Sequence, residues 1–81
     1  MVVISPHTMK RMLQRDISKE DTINTISNGE EAYETEEGRY GSKLDFDYRY
    51  LVVVWEYEKD DKIVITAYWK SKKTPKYRFI N

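Results

Sequence analysis

The spacing of apolar and polar positions divides the chain into two short helices followed by strands. Ser5-Pro6 is a helix start, with Ser as N-cap and Pro at the first helical position. Over residues 7–15 the period is helical, and Met9, Met12 and Leu13 fall on one side. His7, Arg11 and Arg15 form a row on the other side. Asp16-Ile17-Ser18 interrupts this pattern, and Ser18-Lys19-Glu20-Asp21 resembles a capping box with Asp in place of Glu or Gln. Ile23 and Ile26 supply the apolar stripe of a second helix over about 19–27, which Asn28-Gly29 stops. Residues 2–4 read as a short strand or a lead-in segment.

Beyond Gly29 the period changes. Residues 30–36 read as an edge strand guarded by negative charge, and 37–43, with Gly38 and Gly41, as a turn. Residues 48–58 carry the clearest strand signal. Leu51, Val53, Trp55 and Tyr57 alternate with Tyr50, Val52, Val54 and Glu56, as in a central strand covered on both faces. A polar four-residue connection, 59–62, leads to a second strand over about 63–70. Its apolar face is read as Ile63, Ile65, Ala67 and Trp69, and its other face as Val64, Thr66, Tyr68 and Lys70. These elements predict an α+β fold, two N-terminal helices packed on a three- to four-stranded antiparallel sheet. The 81 residues leave room for one domain, divided into a helix pair (5–29), the sheet (30–70) and a basic tail (71–81).

Composition narrows the functional classes. Without cysteine, disulfides, thiolate metal sites and cysteine nucleophiles are excluded. The N-terminal apolar run is too short for a signal peptide, and nothing approaches the ~20 apolar residues of a membrane span. A soluble, cytoplasmic protein with no membrane partner is expected. Net charge is zero, yet its distribution is uneven. Acids dominate from Glu30 to Asp47, whereas Lys70, Lys72, Lys73, Lys76 and Arg78 follow Thr66 with no acid among them. Such a layout permits one acidic and one basic face.

No phosphate-binding glycine loop, nucleophile elbow, HExxH or calcium loop is present. Neither a cofactor nor a metal site is implied. His7 alone has an ordinary pKa near neutrality, which makes it the candidate for proton transfer. Arg11, one helical turn on, suits a phosphate. A second cluster comprises Tyr68 and Lys70 on one strand and Glu56 on its neighbour, their meeting being a matter of register. Metal-independent RNA cleavage needs a base, an acid and cations for the phosphorane, and these residue types supply them. Tyrosines interleaved with lysines also stack on unpaired bases.

The pattern His7-x3-Arg11-x3-Arg15-x-Ile17-Ser18, then Asn28-Gly29-Glu30, Arg49-Tyr50-Leu51-Val52-Val53-Val54 and Ile63-Val64-Ile65-Thr66-Ala67-Tyr68-Trp69 resembles a prokaryotic family, domain of unknown function 4258. That family in turn resembles the BrnT type of toxin within the RelE-like group. The resemblance implies a RelE-like fold, mRNA cleavage and a cognate antitoxin protein as partner. It implicates His7, Arg11, Arg15 and Arg49, with Lys70 and the following Lys72 and Lys73 near the RNA path. Such toxins are typically strongly basic and favour Arg after the last strand, whereas this chain is neutral and favours Lys there. Expected roles are catalysis by His7, Arg11, Glu56 and Tyr68, and RNA contact by Arg15, Arg49, Lys70, Lys72 and Lys73. The alternative is a non-catalytic protein-interaction module whose Tyr-rich sheet holds a partner.

Overall fold

The computed structural model describes residues 1–34 and 37–72, the side chains of 32–34 excepted. Its elements are β1 (Val2–Val3), α1 (Pro6–Gln14), α2 (Lys19–Asn28), β2 (Glu30–Glu34), β3 (Arg39–Asp45), β4 (Arg49–Glu58) and β5 (Asp61–Ser71). The strands form one sheet in the order β1-β5-β4-β3-β2, curved into a half-barrel. All neighbours are antiparallel except β1, which runs parallel to β5 with Val2 opposite Lys62 and Val3 opposite Ile63.

This corrects the predicted three- to four-stranded antiparallel sheet of RelE-like kind. The sheet is mixed and has five strands. One added strand is the parallel β1. The other is β3, which lies where a turn was expected. Gly38 and Gly41 suggested a turn, but Gly41 and Ser42 are buried at the junction with β4, where Gly41 opposes Val54 and Ser42 opposes Val53. Ser42 Oγ accepts a hydrogen bond of 2.9 Å from Trp55 Nε1. A small hydroxyl residue thus satisfies a buried indole that a larger apolar one would leave unpaired.

Both helices start as predicted. Ser5 and Ser18 accept backbone hydrogen bonds from Thr8 and Asp21, at 3.2 and 2.9 Å. Helix α1 ends with Asp16 in the left-handed region (φ 61°), where the Asp16 and Ile17 amides bond back to Leu13 and Met12. The core then differs from the predicted stripes. Met12 and Ile17 are buried but Leu13 is 64% exposed, and α2 buries Thr22, Thr25 and Ile26 while Ile23 stays half-exposed. Thr22 and Thr25 are tolerated inside because each hydroxyl donates to the carbonyl four residues back, at 3.0 and 2.8 Å. The core joins Met12, Ile17 and Ile26 to Leu51, Val53, Trp55, Val64 and Ala67.

A bulge in β5 decides which residues face that core. Val54 pairs with Thr66 but Trp55 pairs with Val64, leaving Ile65 as an extra residue. Parity therefore changes, and Val64, Ala67 and Trp69 share the helix side while Thr66, Tyr68 and Lys70 share the other. The predicted face Ile63-Ile65-Ala67-Trp69 is broken at that point. The β4–β5 connection is shorter than predicted: Glu58 pairs with Asp61 across Lys59 and Asp60, with Lys59 at φ 59°.

Candidate nucleic-acid interface

Arg15 ties α1 to β5. Its guanidinium donates to Ala67 O at 2.9 Å and Thr66 Oγ1 at 3.3 Å, and Trp69 Nε1 donates back to Arg15 O at 3.0 Å. Because β1 covers β5 only at Lys62 and Ile63, these bonds occupy part of the edge beyond it. His7, Arg11 and Arg15 line a hollow of about 120 Å³ together with Ile65, Thr66 and Ala67. His7 is exposed, and no described carboxylate shares its hollow.

On the sheet face away from the helices, a second hollow is built around Tyr50. Lys43, Lys70, Ser71 and Lys72 complete its lining, and its volume is about 340 Å³. Tyr50 lies between Asp45 on β3 and Lys70 on β5. The Lys43 and Lys72 ammonium groups stand 4.6 and 5.3 Å from the Tyr50 ring centroid. Two ammonium groups therefore flank one aromatic ring, and Lys70 shares the hollow. Asp45 Oδ1 binds Lys72 Nζ at 2.7 Å and also accepts from the Asp47 amide at 2.7 Å. The hydrogen bond from Lys72, then that from Asp47, hold the Asp45 carboxyl below its ordinary range, while the bond to Asp45 raises Lys72. The interaction of the Asp45 carboxylate stabilises the fold above the ordinary carboxylate pKa and is lost as pH falls through the lowered one. That of the Lys72 ammonium is present below the ordinary ammonium pKa and is lost as pH rises through the raised one. At neutral pH both groups are charged and paired.

Glu56 does not join this group. It pairs with Arg39 across the strands, 3.8 Å from its guanidinium, and opposes Ile63. Tyr68 opposes Val52, four positions from Glu56 along β4, or roughly 13 Å at strand spacing. Tyr68 is exposed on the same face as Lys70, two positions away. Arg49 lies on the helix side, stacked 3.6 Å from the centroid of the Trp69 ring. Lys73 falls outside the described residues. The helical cations and the β5 lysines thus line two hollows, not one cleft, although both groups follow β5. Lys43 and Tyr50 belong to the second hollow and were absent from the predicted site. The alternation of Tyr40, Ser42 and Leu44 with Arg39, Lys43 and Asp45 was the available signal.

Among the described residues no three His, Cys, Asp or Glu side chains gather into a metal-binding group, and no helix is long and apolar enough to cross a membrane. Architecture and surface together describe a helix pair on a mixed half-barrel sheet with a lysine–tyrosine hollow on the face away from the helices. The family described as "Domain of unknown function (DUF4258)" matches residues 4–69, and the chain belongs to that family. Comparison with curated proteins and with solved structures gave no match.

Proposed function

We propose that this protein binds single-stranded RNA along β5, in the manner of a toxin-like RNA-directed protein. The observation that carries the reading is the hollow shared by Lys43, Lys70, Lys72 and Tyr50, with the Lys43 and Lys72 ammonium groups at the ring. Ammonium groups neutralise phosphates, and exposed tyrosines offer stacking platforms to unpaired bases. Tyr68 and the Arg15 guanidinium at Thr66 continue the same track. From Thr66 to Lys72 the strand spacing gives roughly 20 Å, and His7 to Arg15 adds roughly 12 Å of helix. This geometry suits an extended strand lying along an edge better than a compact ligand.

Binding is tested by fluorescence anisotropy of a labelled single-stranded RNA across a salt series. Replacing Lys43 and Lys70 together by Ala should weaken binding about tenfold at low salt and flatten the log–log salt slope by about 1.4, at ~0.7 per lost phosphate contact. Asp45→Asn should act in the opposite direction, since it frees Lys72 and removes a negative charge. Unchanged affinity in the double variant at low salt, with the fold intact by circular dichroism, would refute the reading.

Cleavage is the narrower form of the proposal, with His7 moving the proton and Arg11 holding the phosphate, because the two share one hollow beside this track. Glu56 has no part in it, being engaged by Arg39 at a distance from the lysines. Induction of the wild-type protein in a bacterial host should arrest growth and degrade RNA, and His7→Ala should abolish both while retaining RNA binding. Normal growth with intact RNA in cells holding abundant, folded wild-type protein would leave a binding protein only.

A further inference from the structure

A third hollow, of about 720 Å³, opens on the helix side at the β3–β4 turn. Its walls combine two carboxylates, Asp16 and Asp21, with Arg49 and the rings of Phe46, Tyr48 and Trp69. The guanidinium of Arg49 is held flat over Trp69, 3.6 Å from the ring centroid, and no described residue forms a hydrogen bond or ion pair with its side chain. Its donor fork is thus oriented without being consumed. The Trp69 ring is itself fixed, by its bond to Arg15 O and by edge contact with Phe46 at 5.4 Å. Tyr48 is 89% exposed at the turn, next to Asp47 at φ 72°. Its neighbour Asp47 is anchored by the bond to Asp45. Donors on one wall, acceptors on another and aromatic surfaces around them define what fits. The ligand is flat, has acceptors on one edge and donors on another, and is no larger than a cavity of ordinary ligand size.

We infer that this hollow receives a guanine base from the bound RNA strand, an inference that rests on the RNA-binding reading. Guanine presents O6 and N7 as adjacent acceptors, the pair that an Arg fork meets with two hydrogen bonds. On its other edge N1–H and the 2-amino group are donors, suited to a carboxylate. Adenine offers only one acceptor to the fork beside a donor that opposes it, and pyrimidines have no N7. Arg49 and Tyr50 are consecutive on β4, as are Trp69 and Lys70 on β5. The base site and the lysine hollow therefore lie back to back across the same end of the sheet. A strand held by the lysines has this site within reach around the turn.

The two indole N–H resonances provide the test. Guanosine 5′-monophosphate titrated into the whole protein should shift the signal of Trp69, and that of buried Trp55 should stay in place. Adenosine, uridine and cytidine monophosphates should bind about tenfold more weakly, as should the inosine and 7-deazaguanosine forms, which lack the 2-amino donor and the N7 acceptor respectively. Arg49→Lys and Asp21→Asn should each reduce the preference for guanine. An equal response to all the nucleotides, or none, overturns the guanine site. If RNA then still binds with lysine-dependent affinity, the RNA-binding reading survives. Guanine-selective binding of the monophosphate without any RNA binding would establish the pocket and overturn the RNA reading.

Discussion

Trp55→Ala is expected to leave this protein unfolded or close to it at room temperature. Trp55 is 1% exposed and lies in the core beside Val64 of β5. Its ring stacks on Tyr40 at 4.7 Å, meets Tyr57 edge-on at 5.1 Å and has the Lys62 ammonium 4.5 Å from its centroid. Truncating such a residue costs about 3–5 kcal/mol, against a total of the order of 4–12 kcal/mol for a chain of this length. Ser42 would also lose its indole partner. Urea denaturation followed by far-ultraviolet circular dichroism measures the loss. Trp55→Phe separates the contributions: it keeps most of the packing and should cost about 1–3 kcal/mol through the lost hydrogen bond. A midpoint unchanged by either substitution would show that this aromatic cluster does not hold β3, β4 and β5 together.

The second large effect is expected at Gly29. Here the constraint is space, since φ is −81° and any residue adopts that backbone. A methyl group at this position would lie 2.5 Å from the carbonyl oxygens of both Thr25 and Lys43. Both are backbone atoms, so no side chain can swing aside. Gly29→Ala should therefore cost about 2–3 kcal/mol, read as a lowered urea midpoint. The displaced carbonyl belongs to Lys43, so RNA affinity should fall as well. A variant with the wild-type midpoint would mean that α2 and β3 separate without penalty.

These two sites also show what could be read from the residues. Gly29 was legible as a helix stop from Asn28-Gly29, but the approach of β3 that demands glycine was not, because it depends on a partner elsewhere in the chain. Trp55 was legible as a core position through the alternation in β4. Its partner Ser42 was not, since a buried serine in a Gly-containing segment looks like a turn until the indole above it is placed. The Ile65 bulge explains the remaining error in β5. Strict alternation cannot anticipate an inserted residue, and one insertion exchanges the faces of everything on one side of it. In the candidate site, the cations of α1 and β5 were visible as a basic pattern, and their separation into two hollows followed from register. Lys43 was missed together with its strand.

The parallel pairing of β1 with β5 has a consequence for how the protein is made. Val2 and Val3 leave the ribosome before both helices and three further strands, whereas Lys62 and Ile63, which they pair with, emerge after those elements. Helix α1 likewise finds the carbonyl that Arg15 grips only once Ala67 has been synthesised. Neither contact can help a nascent fragment. Such distant closures make for slow folding, and β1 can join the sheet only once β5 has been made.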